Sequence, residues 1–489
     1  MRGAHNLEFF CGFIGFIARN PLPLGFCVAL FTHGCGTAVL LDFRLLSFWC
    51  VFSTVRHIMK HSPFWWEIEQ GLWQASGEVN LPLEADYVIV GAGYTGLSAA
   101  LTIARQGHSV RVLDSGVPGF AASTRNGGIC SGQIRLSHSA LSAKSGVDYA
   151  DAVYAEGIEA RLDLAKFCAE EQIECDLQMT GRFTGAMSSK DYENQCREAD
   201  RLNTIDGHKA FMVPKSDQQS EIKTDLFFGG MVREEIGGFH PGKFFAGLLK
   251  AAQAAGAVIH AQTCVEEITG TSSGKKTVVT NRGNVIGGKV IIATNAYTGT
   301  KYQFGKFLRR RLVPAQSCII VTEALGTETV KDLMPKLRMY GNTAKLYSYF
   351  RPTPARDRIL LGSRSFDRHR PSARSVAYLH QKLAQIFPEL SGCSIAYCWL
   401  GNVGFTRAEL PALFESDGIF YAAGYAGSGT VWARWLGKKI AETAMGTGNQ
   451  PSAFWGPPPP RIPLYDGNPW FLPAMHRYFG FKDWIKRRS

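Results

Sequence analysis

An α/β fold, α+β overall, is predicted by three observations. Residues 86–114 read DYVIVGAGYTGLSAALTIARQGHSVRVLD: an apolar strand, a glycine turn, a helix, a second strand and a terminal acid. Further elements that suit nucleotide binding recur near residues 260–296 and again near 424, far along the chain. Between them lie segments that suit a separate antiparallel sheet. Together they predict a Rossmann-like nucleotide-binding domain interleaved with an antiparallel-sheet substrate domain. The nucleotide-binding parts are expected at about 84–140, 241–300 and 400–446, and the substrate domain at about 141–240 and 301–399.

The N-terminal segment differs from the rest. Residues 7–55 are rich in Phe, Leu, Cys and Gly, and Asn20 to Leu41 is free of charge. That stretch is near the length of a membrane span, but Pro21, Pro23 and His33 make it a poor one. A secretory signal is also unconvincing. Met59 is the first internal Met, so residues 1–58 are expected to be a spurious or unstructured extension, with a membrane anchor as the alternative. Membrane association is expected only if residues 1–58 are retained. The aromatic arm PFWWEIEQGLW (63–73) follows, with Trp65, Trp66 and Trp73 expected to pack on a domain surface.

The first nucleotide element comes next. Gly91 allows the tight turn, Gly93 lets a pyrophosphate approach the backbone, and Gly96 lets helix and strand pack closely. The helix N-terminus around Thr95 offers free N–H groups to phosphate. Asp114 stands about 20 residues on, the place for an acid that holds ribose hydroxyls. After a loop at 117–132, helical periodicity returns at 147–175 and again at 188–205, and 208–239 reads as short strands and turns. Residues 241–270 read as a helix, a Gly256 stop and a strand, and 276–294 as a hairpin ending on KVIIATNA. Strands are expected at 312–322 and 345–366, a helix at 374–387, strands near 395–400 and at 419–423, and a turn region at 401–411. A glycine turn opens a helix at 424–446, and the Pro- and aromatic-rich tail, 447–489, is expected to be a surface loop.

Composition narrows the function. The chain has 489 residues, 45% of them apolar, and a formal net charge of +12. Its Lys and Arg are scattered, with no basic stripe interleaved with aromatics, so nucleic acid is not an expected partner. The twelve Cys include no C-x-x-C pair and no zinc spacing, so no metal is expected, and a reduced, cytoplasmic setting fits best. Nucleotide elements this widely split favour FAD, a long cofactor touched by distant parts of one chain.

Several pieces, in order, carry a family resemblance: SPFWWE, ADYVIVGAGYTGLSAAL, GFAASTRNGG, GGFHPGKF, VIIATNAYT, YFRPTPARDRILLGSR and GYAGSGT. They resemble the D-amino-acid-oxidase-like family of FAD-dependent amine oxidoreductases. The nearest branch is the one that contains gamma-glutamylputrescine oxidase and related deaminating oxidoreductases. The resemblance implies that the loop with Ser123, Arg125, Asn126, Gly127 and Gly128 passes the pyrophosphate to the flavin, with Arg125 supplying charge to the phosphates or the flavin edge. It implies that Cys264 and Val265 meet adenine through their main chain, and that Ala293 and Thr294 close over the ribose–phosphate part. The turn with Gly424, Gly427, Gly429 and Thr430 would lie beside the flavin pyrimidine. The stretch 401–413 has no Cys, so the FAD is expected to be non-covalent.

The expected reaction is oxidation of a C–N bond of a small amine or amino acid, by hydride transfer to flavin, with oxygen or another electron acceptor. His240 is a candidate for tuning amine protonation. Tyr349 and Arg351 alternate with Tyr347 on one strand face and are candidates to meet a carboxylate, and Arg364 and Arg407 are weaker ones. Alternatives are a D-amino-acid dehydrogenase feeding the respiratory chain, and a flavin-binding interaction protein without catalysis.

Overall fold

The strand Glu84–Val90 is buried without interruption from Tyr87 onward, as a strand covered on both faces must be. In this computed structural model of the protein, the residues described are 59–67, 80–271, 274–365, 367, 370–448 and 450–486. The expectations for residues 1–58 and for Trp73 lie outside them. The described residues belong to one compact unit.

Glu84–Val90 sits inside an eight-stranded sheet whose main path runs Ala412–Ser416, Ile419–Ala423, Gly283–Ile292, Glu84–Val90, Val110–Leu113, Val258–His260. From Ile419–Ala423 to Val258–His260 every pairing on this path is parallel, in registers such as Val88↔Val290 and Val112↔Ile259. Gly283–Ile292 thus lies beside both Glu84–Val90 and Ile419–Ala423, strands far from it in sequence. The helices Tyr94–Ala104, Pro241–Ala254 and Gly429–Met445 supply buried side chains to the core beside this sheet. Val265–Thr269 and Lys276–Thr280 extend it as an antiparallel meander on Gly283–Ile292.

A second eight-stranded sheet runs Ile395–Phe405, Val313–Thr322, Ile359–Arg364, Ser348–Pro352, Met339–Asn342, Arg182–Gly185, Gly230–Arg233, Ala210–Val213. Its pairings are antiparallel except Met339–Asn342 with Arg182–Gly185, the seam where its two chain segments meet. Its core includes Phe183, Phe227, Ile320, Tyr340 and Phe350, with Leu379 and Leu383 of the helix Ala373–Ile386. The fold class matches the expectation of a parallel nucleotide sheet interleaved with an antiparallel one.

Three local expectations are corrected. The strand expected near 395–400 runs on to Phe405, because Val313–Thr322 pairs with it through Val313↔Phe405, so 401–405 is not a turn. The tail is not all loop, since Leu472–Lys486 is a helix. Trp65 does not lie on a surface. It is buried with Ile319, Leu360 and Trp399, beneath an edge where Lys60 N–H donates to Ala396 O and Cys398 N–H to Lys60 O.

Candidate active site

One cavity of about 1040 Å³ is lined by residues of both sheets and their loops. Small-molecule sites span roughly 300–1,000 Å³, so this one has room for a long cofactor and a substrate together. Gly91, Gly93, Thr95, Asp114, Ser123, Arg125, Asn126, Gly127, Val265, Ala293, Thr294, Gly427, Gly429 and Thr430 all line it. Gly96, Gly128 and Gly424 do not line it but shape the turns that do.

At the nucleotide end, Gly91 takes φ +104°, and a Cβ there would lie 3.1 Å from Ala293 O. The helix Tyr94–Ala104 has no cap from the side chain before it; the Tyr94 N–H donates instead to Ser123 Oγ at 2.9 Å. Asp114 Oδ2 accepts from Ala92 N–H at 2.8 Å and Oδ1 from Gly116 N–H at 2.9 Å. Burial nevertheless pushes its carboxyl above the ordinary range, against those two hydrogen bonds. A carboxylate has about four acceptor positions, so Asp114 keeps capacity for a hydroxyl pair.

At the other end, the helix Gly429–Met445 starts at Ser428 with no side-chain cap. Its first N–H groups and the positive end of its dipole meet the cavity at Gly429 and Thr430. Thr430 Oγ1 donates to Ile129 O at 2.6 Å, and Gly424 N–H to Asn295 Oδ1 at 3.0 Å, which fixes the turn. Two helix ends without a cap from the preceding side chain, and a backbone cradle that a Cβ would obstruct, fit a dinucleotide with charge at the pyrophosphate and at the flavin ring.

The loop between these ends is held from behind. Trp399 Nε1 donates to Arg125 O at 3.0 Å, Trp65 Nε1 to Asn126 O at 2.8 Å, and Arg351 Nη1 to Gly128 O at 2.7 Å. Arg351 also donates to Phe239 O and Pro352 O. It does not line the cavity and is 1% exposed, so the expectation that it meets a substrate carboxylate is corrected: it is a bracket for backbone carbonyls. His240 is corrected as well. Its Nδ1 accepts from Lys243 N–H at 3.1 Å and caps the helix Pro241–Ala254, away from the cavity lining, with its ring edge-on to Trp65. Burial lowers its pKa to about 4, so it is neutral near pH 7. Arg125 reaches the cavity, but its guanidinium donates to Phe120 O and Leu400 O and lies over the rings of Phe120 and Trp66. It is thus held as a bracket and not offered as a free cation.

Tyr349 does face the cavity. Its ring occupies a slot between two glycines: a Cβ at Gly127 would lie 2.6 Å from the ring, and one at Gly362 2.2 Å. Burial pushes its phenol up to about 12, so it stays protonated and serves as a hydrogen-bond group, not a base. Tyr347 stacks beside it at 6.2 Å and contacts Arg182, whose Nη1 donates to Gln133 Oε1. Arg364, a weaker candidate from the sequence, stands at the end of the neighbouring strand. It lines the cavity, lies over Phe405 at 4.6 Å, and has no hydrogen bond or ion pair of its own among the described residues. The nearby Glu409 carboxylate is already paired with Arg135 Nε at 2.7 Å. Burial lowers the Arg364 pKa to about 10, helped by Arg135, and leaves it charged at neutral pH. Arg407 is exposed and does not line the cavity. No cluster that could hold a metal is found among the described residues.

Comparison with known proteins agrees with this geometry. The family described as DAO, FAD dependent oxidoreductase, matches residues 86–443. The chain is 29% identical over 377 residues to gamma-glutamylputrescine oxidoreductase of Escherichia coli (strain K12), covering 77% of this chain and 87% of that protein. It is 28% identical over 375 residues to the probable oxidoreductase OrdL of Haemophilus influenzae, covering 76% and 85%. Its fold is similar to the crystal structure of glycine oxidase from Geobacillus kaustophilus, with TM-score 0.64, 22% identity, and 75% and 96% of the two chains covered.

Proposed function

Because the chain belongs to the FAD dependent oxidoreductase family, we propose that it oxidises a C–N bond of a small amine or amino acid that carries a carboxylate. FAD supplies the redox chemistry, taking the hydride equivalent from the substrate α-C–H and passing the electrons to oxygen or another acceptor. The protein's own contribution is binding, orientation and exclusion of water. The observation that carries the proposal is Arg364, a half-buried guanidinium without a carboxylate partner among the described residues, in the cavity that also holds the dinucleotide cradle. A cation so placed, facing a cavity and not bulk solvent, is a natural partner for a ligand carboxylate.

In this reading Arg364 grips the substrate carboxylate, and Tyr349 donates its phenol hydrogen to the same group or to the amine. Tyr347, held against Arg182, closes one side. Neither Arg364 nor Tyr349 takes a proton at neutral pH, so the amine must arrive neutral from solvent. The imine left on the substrate hydrolyses to a carbonyl compound and an amine. The helix end at Gly429 and Thr430 favours negative charge on the bound cofactor once the substrate is oxidised. Non-covalent FAD is supported by the cavity lining, whose cysteine, Cys264, lies at the adenine end beside Val265.

The test is anaerobic bleaching of the visible flavin band across N-methyl amino acids, D-amino acids, polyamines and glutamylated polyamines. Bleaching by carboxylate-bearing amines and not by their decarboxylated analogues is expected. A flavoprotein that no amine bleaches defeats the proposal. Slow reoxidation in air after bleaching would assign the electrons to an acceptor other than oxygen.

A further inference from the structure

We propose that the outer face of the C-terminal helix, Leu472–Lys486, docks the protein on an anionic lipid surface. The helix begins beyond residue 443, where the family match ends, so the shared chemistry of the family does not account for it. Its apolar residues are not confined to the inner face. The stripe facing the protein holds buried His476 and Asp483 with half-buried Leu472 and Phe479, while Tyr478 and Phe481 are 55% and 56% exposed, with Met475 and Ile485 beside them. A helix that only covers its own domain turns its apolar residues inward. The inward polar choice is specific: Asp483 Oδ1 accepts from Lys345 N–H at 2.7 Å and Oδ2 from Leu346 N–H at 2.9 Å. Those two bonds fix which face points out.

Charge selects the occupant. Arg477 and Lys482 are exposed on the helix, and its sole acid, Asp483, is buried and already bonded. A second copy meeting this face would set these cations against their equivalents. Residues 1–58, with four Arg and two acids, offer no complement either. Aromatic side chains with Lys and Arg at their flank are the composition of helices that lie in a bilayer interface. The approach to the helix repeats it: Leu464 is 90% and Trp470 62% exposed, and Arg310 and Arg461 line the same hollow with the single acid Asp466. Among the described residues no helix is long and apolar enough to cross a membrane, so the helix lies on the surface instead of spanning it.

The experiment is flotation of the full-length, FAD-loaded protein with phosphatidylcholine vesicles, alone or with about a third phosphatidylserine. Binding to the mixed vesicles and not to pure phosphatidylcholine, weakening with salt, is expected. Each basic charge near such a surface multiplies binding by about fivefold, so Arg477→Gln with Lys482→Gln weakens it by about twenty-five-fold. The variant Tyr478→Ser with Phe481→Ser abolishes it. Both variants change exposed positions, and their flavin absorbance checks that they fold. No binding to either vesicle overturns the proposal. So does binding that neither variant weakens. A wild-type dimer that the serine variant dissociates, without vesicle binding, assigns the face to a second copy and overturns the proposal as well.

Discussion

Replacing Arg364 by Met removes the cavity's unpaired guanidinium while keeping most of the volume over Phe405. At an effective dielectric constant of about 20, a guanidinium and a carboxylate about 4 Å apart attract by about 4 kcal/mol. Water admitted by the shorter side chain returns part of this, so a loss of about 3 kcal/mol, a hundredfold or more, is expected in carboxylate affinity. Arg364→Lys keeps the charge but loses the planar fork, and should recover only part of it. The assay is titration of small monocarboxylates, and of the bleaching substrate, against the flavin absorbance of holoenzyme. Flavin content should be unchanged, because Arg364 touches no part of the nucleotide cradle. If Arg364→Met alters carboxylate affinity by less than threefold while flavin remains bound, the assignment of Arg364 is wrong and the substrate anchor must be sought elsewhere in the cavity.

Three further outcomes follow from the geometry. Gly91→Ala forces a side chain onto φ +104° and against Ala293 O, at a cost of about 1–3 kcal/mol, and should lower the flavin-to-protein ratio severalfold after desalting. An unchanged ratio would show that the turn relaxes without harm. His240 has a folded pKa of about 4 against an ordinary 6.5, so the unfolded chain holds the extra proton between these values. Stability is therefore full above pH 6.5 and falls by about 3 kcal/mol as pH drops through 4. His240→Asn keeps an acceptor for the Lys243 N–H and should flatten that acid limb of the melting temperature. An equally steep limb in the variant would assign it to other groups. Tyr349→Phe should slow flavin reduction without changing the shape of its pH profile, since the phenol is protonated far above neutrality. Loss of a basic limb in the variant would make Tyr349 a titrating participant.

The dinucleotide end was legible because its signals are local. Gly91, Gly93 and Asp114 follow from the turn, the backbone approach and the spacing, and strand and helix periodicity frame them. The substrate end was not, because its logic is set by contacts between distant strands. Alternation on one strand correctly put Tyr347, Tyr349 and Arg351 on a common face, but not where the cavity rim crosses it. Arg351, one step past the rim, is buried under Gly128 and Phe239 instead of facing the cavity. His240 precedes Pro241 at a helix start, a capping signal that fully explains it. Gly401 and Gly404 suggested a turn, yet both lie in an extended strand where neighbours come close. A Cβ would sit 3.4 Å from Arg125 Cβ at Gly401 and 2.4 Å from Asn295 Oδ1 at Gly404. Pro473 and Gly480, with aromatics on the outer side, hid the C-terminal helix from a search for an apolar inward stripe.

The carbonyls of Arg125, Asn126 and Gly128 are pinned by three side chains that lie beyond the loop from the cavity. A trans peptide points its N–H opposite to its C=O. The same three bonds therefore turn the N–H groups of Asn126, Gly127 and Ile129 away from Trp399, Trp65 and Arg351. The loop behaves as a polarised plate, its negative ends shielded among aromatic rings and its positive ends opposite. Trp399 and Arg351, buried in the antiparallel sheet, thereby orient peptide dipoles of a loop that lines the cavity. Repacking Trp399 would be read as a shifted redox midpoint before it was read as lost stability.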